Sequence, residues 1–320
     1  MIWRTAFNAL SPAGPRARLS VLLFHRVLAS KDALLPSEPD AIEFERHMQW
    51  IKRWFNVLPL EESVRRMRAG TLPARALSIT FDDGYADNLE VAQPILNRLG
   101  IPATIFIASG YLDGGRMWND TIIESVRRCG LDVLDLAHLG LGVHPLSSID
   151  ERRRAINSLL ADLKYLRPPH RQEHVRNVAK ASRARLPDDL MLTTERLRCL
   201  RDRGMSVGAH TRGHPILAKV DAATALSEIA DSRAELEKVL DQPVTLFAYP
   251  NGRPVTDYTA EHVAMVSRLG FEAAFSTASG AASRHDDGYQ LPRFTPWDKR
   301  PAKFAARLVR NLARTRIATA

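Results

Sequence analysis

Short apolar runs separated by amphipathic stretches recur along most of the chain. LSVLLF at 19–24, ALSITF at 76–81, ATIFIA at 103–108, MSVGA at 205–209 and VTLFAY at 244–249 read as buried strands. Runs of this length, apolar on both faces and rich in β-favouring residues, suit parallel strands covered by helices. Between them, Phe44, Met48, Ile51 and Phe55 recur at helical spacing over 41–55. Further helices are expected from Glu61, over Ala86–Leu99, over Thr194–Arg203, and across 221–240 and 257–269. Gly100 with Pro102, and later Gly270, supply stops, and Asp221 is placed to cap a helix N-terminus. Shorter strands are expected near Asn56–Leu58, Ala273–Ser276 and Tyr289–Leu291. Strands alternating with helices in this way predict an α/β fold, an irregular (β/α) barrel of mostly parallel strands.

Residues 112–190 break the rhythm. They are helix-prone and Arg-rich, with runs at Glu151–Arg154 and Arg167–Arg171, and read as a helical insertion within a single domain spanning 1–320. Near the end, 301–317 reads as a basic amphipathic helix. Phe304, Leu308 and Leu312 share one face, and Arg307, Arg310 and Arg314 share another. That face suits docking on the domain, while the arginines also suit peripheral contact with an anionic membrane. No element is assigned to the first residues, where Pro12 and Pro15 interrupt a short apolar stretch. Neither a signal peptide nor a transmembrane helix is evident there or elsewhere, so the expected location is the cytoplasm or the inner membrane face.

Composition changes the picture little. The 320 residues carry a formal net charge of +9 and are 45% hydrophobic and 25% charged. The sequence pI is about 9.9. A basic balance admits anionic partners, but without a compact Lys/Arg block interleaved with aromatics no nucleic-acid role is expected. Cys129 and Cys199 fall in helix-like stretches, make no metal-type spacing, and are expected to be free thiols.

The candidate chemistry collects at strand ends. His25 follows the first run, Asp82 and Asp83 follow ALSITF, and His210 follows MSVGA. Tyr249, Pro250 and Asn251 end the 244–249 run, and Arg293 follows the last short strand. In parallel α/β barrels the active site is built at the C-terminal strand ends. Thr80-Phe81-Asp82-Asp83-Gly84-Tyr85 sets two carboxylates after an apolar strand, which is costly unless a cation compensates them. One carboxylate could ligate a metal while the other faces its water; an Asp-Asp-Gly turn before a helix explains the same residues without chemistry. His210-Thr211-Arg212-Gly213-His214 spaces two histidines by four, which suits Zn²⁺ if the stretch is helical or tightly turned. An exposed loop carrying two unrelated histidines is the plainer alternative.

Taken in order, TFDDG, HTRGH, the FAYPNG stretch at Phe247–Gly252 and LFHRV at Leu23–Val27 resemble the motifs of the polysaccharide deacetylases. These are the NodB-homology carbohydrate esterases. MWND at 117–120 and LPRFTPWD at 291–298 point to the branch found in exopolysaccharide gene clusters, similar to poly-N-acetylglucosamine deacetylases. The resemblance runs over residues 20–296. It implies a NodB-type barrel and a metal-dependent hydrolase that removes N-acetyl groups from an amino-sugar polysaccharide or its precursor. By the same resemblance, Asp83, His210 and His214 hold a divalent metal, Zn²⁺ with Co²⁺ or Ni²⁺ as substitutes, and Asp82 is the general base. The Asn251 backbone is placed at the oxyanion.

Two positions depart from the commoner pattern. Ala248 stands where an arginine usually orients the base, and Leu291-Pro292-Arg293 stands where a Leu-x-His usually supplies the acid. A swap is expected, with His25 as the acid and Arg293 orienting Asp82 or binding substrate. Tyr85, Tyr249 and Trp118 are expected among the substrate contacts, Trp118 by stacking on a sugar face or else as core filling, and Trp297 admits the same pair of readings. An O-acetyl esterase or other amidase using this apparatus, and a glycan-binding protein without turnover, are the alternative functions.

Overall fold

The computed structural model describes residues 2–295 and 298–320. Nine strands lie among the described residues: β1 (Leu19–Phe24), β2 (Asn56–Val57), β3 (Ala76–Phe81), β4 (Ala103–Ile107), β5 (Val133–Asp135), β6 (Val143–Pro145), β7 (Ser206–Ala209), β8 (Leu246–Ala248) and β9 (Ala273–Phe275). The main sheet runs β1-β3-β4-β7-β8-β9, all parallel, with β2 added beside β3. Every residue of β1, β3 and β4 is buried, as their continuous apolar runs require.

The gap between β9 and β1 is closed by an irregular segment rather than by the strand expected at Tyr289–Leu291. Leu291 bridges to Phe275 and Phe294 bridges to Leu22. Phe294 N–H donates to Val21, and Leu23 N–H donates back to Phe294. Pro292 interrupts regular pairing because it has no N–H to give. This short crossing, held on both sides, places Arg293 inside the curled sheet with no solvent exposure.

The interior is tight where the strands approach one another. A Cβ on Gly208 of β7 would fall 2.4 Å from two ring atoms of Phe106. Phe106 lies against Phe275 at 5.6 Å between ring centroids, and the Arg293 guanidinium sits 5.2 Å from its centre. Gly208→Ala is therefore expected to cost about 1–3 kcal/mol of stability, read as a lower urea midpoint at unchanged slope.

The expected helices form at Ala41–Trp54, Leu60–Ala69, Thr194–Asp202, Ala222–Leu240 and Ala260–Arg268. Asp221 caps the fourth of these by accepting from Thr224 N–H. The helix expected over Ala86–Leu99 opens with a π turn at Asn88–Ala92 before Gln93–Leu99. Pro94 lacks an N–H, which interrupts the α ladder at that junction.

Residues 112–190 hold helices at Trp118–Arg128, Ile149–Lys164 and Pro168–Ser182, with the antiparallel pair β5–β6 between the first two. The sequence reading missed that pair, since three-residue strands carry too little alternation. These helices share their own apolar cluster, including Ile122, Val126, Leu159, Leu163 and Val178, distinct from the one beneath the sheet.

An unassigned N-terminal helix, Ile2–Leu10, contacts the C-terminal helix Pro301–Leu312. The latter ends earlier than its expected bound of 317. Phe304, Leu308 and Leu312 are buried, so its apolar face is spent on the domain rather than left for a membrane. Cys129 and Cys199 are free thiols. Among the described residues no helix is long and apolar enough to cross a membrane.

Candidate active site

Most of the strand-end residues named from the sequence meet in one pocket of about 440 Å³. It is lined by His25, Asp82, Asp83, Trp118, Asn119, Lys164, His210, His214, Asn251 and Thr277, among others. Asp83 takes a left-handed backbone, φ 77°, which turns the chain sharply after β3. Aspartate tolerates this conformation better than most residues. A Cβ on Gly84 would meet Ile107 at 2.9 Å, so a small residue must follow.

Asp83 Oδ1 lies 3.3 Å from His214 Nε2 and 3.6 Å from His210 Nε2. His210 and His214 are joined by a turn rather than a helix, with Thr211 at φ 63° and His214 at φ 52°. Thr211 Oγ1 donates to the His210 carbonyl and accepts His214 N–H, while Glu228 accepts Arg212 N–H and Gly213 N–H. The loop is thereby tied to helix Ala222–Leu240, and the two rings lie 4.8 Å apart.

These three side chains fit a metal. His210 Nδ1 lies 2.7 Å from the Ala248 carbonyl, which can only accept, so in the neutral ring Nε2 presents a lone pair. Asp83 Oδ1 is buried without a hydrogen-bond partner. The three ligand atoms lie within 4.8 Å of one another. Acceptors turned toward one point with no donor between them suit a cation, and the His–carbonyl bond orients the ring as metal sites commonly require.

Charge balance separates the adjacent aspartates. Burial, the largest influence on Asp82, raises its pKa, but the charge of Arg293, the charge of His210 and the hydrogen bonds from Arg293 outweigh it and hold the carboxyl below its ordinary range. Arg293 Nη1 and Nη2 bond the two oxygens of Asp82 at 2.7 and 2.8 Å. The guanidinium also donates to the Ser276 carbonyl and Thr80 Oγ1. For Asp83 burial again acts upward, the Asp82 charge adds to it, and without a cation the carboxyl is pushed up to about 7. Burial depresses both histidines, His210 to about 4.

His25 is half-buried beside these carboxylates, its carbonyl accepting from Asn88 Nδ2 at the π turn. Asn251 stands at the wall in a left-handed turn, φ 59°, its carbonyl accepting from Thr277 Oγ1. Trp118 lines the pocket and also packs on the insertion's cluster, with the Arg171 guanidinium 4.9 Å from its ring centre.

Two expected substrate contacts are corrected. Tyr249 is fully buried, stacked on Tyr258 at 3.9 Å with its hydroxyl given to the Tyr289 carbonyl. Tyr85 is 2% exposed, its hydroxyl shared between the Asp120 oxygens at 3.2 Å and its ring under Arg26. Each is apolar enough to be drawn into the core once a remote partner satisfies its hydroxyl. Arg293, wholly enclosed and engaged, is not free to bind substrate. Trp297 lies outside the described residues.

The sequence reading missed Lys164 and Thr277 in the pocket. Lys164 ends an insertion helix, and nothing local distinguishes it from the surrounding charges. Asp120 of MWND was unassigned. It accepts Met117 N–H and the Tyr85 hydroxyl, and burial raises its pKa to about 6.

A curled parallel sheet with polar side chains gathered at its C-terminal strand ends is the architecture of (β/α) barrel enzymes. The chain belongs to the polysaccharide deacetylase family, whose model matches residues 69–134 and 177–274. The unmatched stretch between them falls inside the helical insertion. YxkH of Bacillus subtilis (strain 168), which bears the name of a polysaccharide deacetylase, is 23% identical over 279 residues, 87% of this chain and 71% of its own. The poly-beta-1,6-N-acetyl-D-glucosamine N-deacetylase of Staphylococcus aureus is 37% identical over 71 residues, 22% of this chain and 24% of that protein. The fold is shared with the Streptococcus pyogenes deacetylase PplD, solved with acetate, at TM-score 0.61 and 20% identity over 93% of this chain and 99% of that one. IcaB from Ammonifex degensii matches at TM-score 0.58 and 19% identity, covering 92% and 97%.

Proposed function

We propose that the protein is a metal-dependent N-deacetylase acting on an amino-sugar polysaccharide or its precursor, with residues 1–320 forming one catalytic unit. The observation that carries this reading is the pairing, in one pocket, of a three-acceptor cluster with an aspartate locked by a buried arginine. Asp83, His210 and His214 would hold the metal; their mixed nitrogen and oxygen set suits Zn²⁺, with Co²⁺ or Ni²⁺ as substitutes. Bound there, a divalent ion supplies Lewis-acid polarisation of the acetamide carbonyl and eases deprotonation of water.

The chain's own residues do the rest. Asp82, kept ionised and fixed in orientation by Arg293, takes a proton from the attacking water as its oxygen bonds to the acetyl carbon. The turn at Asn251 presents its backbone N–H to the developing oxyanion. When the C–N bond breaks, His25 gives a proton to the departing amine nitrogen, and acetate and the free amino sugar result. Trp118 offers an aromatic face to a sugar ring. The N-deacetylase named among its relatives favours amide cleavage over ester cleavage.

Acetate release from β-linked N-acetylglucosamine oligomers, abolished by chelation and restored by added Zn²⁺, is the expected result. His25→Ala should retain stoichiometric metal while turnover falls about 10²–10⁴-fold, the range for a lost general acid. Unchanged turnover with metal intact would remove His25 from this role. Stoichiometric metal without acetate from any acetylated glycan would overturn the deacetylase reading.

A further inference from the structure

Beside the metal-site pocket lies a wider cleft of about 1050 Å³. His25, Lys164, Asn251 and Thr277 line both, so the two are continuous. Among the described residues, six lysines or arginines line this cleft and no aspartate or glutamate does. Arg293 and Arg307 are held by Asp82 and Asp298. Among the described residues no ion pair engages Lys164, Arg253, Arg310 or Arg314. Asp257 pulls on Lys164 electrostatically, but it is fully buried and one of its oxygens is taken by Arg253 N–H.

These cations come from three separate segments: the insertion helix Ile149–Lys164, the loop after β8, and the C-terminal helix with its tail. Arg310 stands in the last turn of its helix, where a cation offsets the helix dipole. Arg253 lies in a loop and has no such reason to be there. Like charges converging on one concavity repel, and low-dielectric walls focus their field on whatever enters.

We propose that this cleft binds an anionic stretch of the glycan, so that the preferred substrate is an acidic polysaccharide whose carboxylate or phosphate groups lie a few sugars from the acetamide being cleaved. The assignment rests on the deacetylase reading for the position of the acetylated sugar. Carboxylate and phosphate share the charge and acceptor geometry that arginine recognises. Nucleic acid fits less well: among the described residues Phe294 is the one phenyl or larger ring lining this cleft, and at 8% exposed it offers a base little face to stack on.

The test is calorimetric titration of the metal-loaded protein with three oligosaccharides of equal length. One is neutral N-acetylglucosamine, one alternates N-acetylglucosamine with glucuronate, and one carries phosphodiesters. The acidic probes should bind more tightly than the neutral one, with the gap closing between about 50 and 300 mM NaCl as charges are screened. In the triple variant R253Q/R310Q/R314Q, acidic-probe binding should weaken at least about tenfold while neutral-probe binding changes less than about twofold. Whichever acidic probe binds more tightly identifies the anion. Equal binding of neutral and acidic probes, an unaffected triple variant, or equal competition by a thymidine oligomer of the same charge would overturn the inference. Acetate release is measured separately. Its absence on every probe sinks the deacetylase reading, while the titrations still decide what the cleft binds.

Discussion

On the proposed function, Asp83→Asn is expected to leave a folded protein that no longer retains metal and whose acetate release falls by at least about 10³-fold, because Lewis-acid polarisation is worth several kcal/mol of barrier. Asparagine accepts the left-handed backbone that Asp83 occupies, so the loss does not come from strain at φ 77°. Metal content by elemental analysis and acetate release are the paired readouts; full metal occupancy in the variant would remove Asp83 from the ligand set.

The same variant makes a pH prediction of opposite sign in chelated protein. Burial, with the Asp82 charge, lifts the Asp83 carboxyl from the ordinary 3.8 to about 7. A raised acid is disfavoured when ionised in the fold, so it costs nothing below the unfolded pKa. The penalty grows as pH rises through the window from about 4 to about 7 and is complete above it. Chelated wild type should therefore match Asp83→Asn near pH 4 and fall behind it by a few kcal/mol at pH 8. Urea midpoints measured at both pH values check this, and a constant difference would contradict it.

Arg293→Met is the second large effect, and it acts on stability and chemistry together. Arg293 is wholly buried and gives two hydrogen bonds to Asp82, itself 3% exposed. Removing it strands a carboxylate in the interior, at an expected cost of about 3–5 kcal/mol. Asp82→Asn combined with Arg293→Met should recover much of that stability, since the stranded charge is gone, yet remain inactive for want of a base. Recovery of activity in the double variant would deny Asp82 its role.

The acid limb of the wild-type pH profile follows from the same pair. Although burial acts upward, Arg293 holds the folded-state pKa of Asp82 below 3.8. The stability this supplies is present above 3.8 and is lost as pH falls through the lower folded value. Without Arg293 the carboxyl rises, so residual activity in Arg293→Met should fail at higher pH than in wild type. An acid limb that stays in place would mean that Arg293 does not set the ionisation of Asp82.

Much of this architecture was legible along the chain. Continuous apolar runs set off by turns located β1, β3, β4, β7 and β8, because strands buried on both faces have no polar side to confuse the pattern. The rule that barrel chemistry gathers at strand ends then picked out Asp82, Asp83 and His210, and the motif carried His214 with them. Less was legible where an element is too short for any period, as in β5 and β6, or where pairing is irregular, as at Leu291 and Phe294.

What the sequence by itself determined is the alternation of strand and helix, the order of the motifs, and which residue types reach the rim. The tertiary structure alone decided how each was used. Arg293 meets Asp82 across 211 positions, through a crossing segment whose place depends on β9 and β1. Tyr85 and Tyr249 carry motif positions, yet remote acceptors satisfy their hydroxyls and draw them into the core. Lys164 enters the pocket only because the insertion folds over it, and the apolar face of the C-terminal helix is covered only because the domain is there to receive it. Periodicity and strand-end position are short-range properties that one segment carries in its own residues. Partnership, burial and charge balance belong to segments far apart, and no segment holds them before the chain has closed.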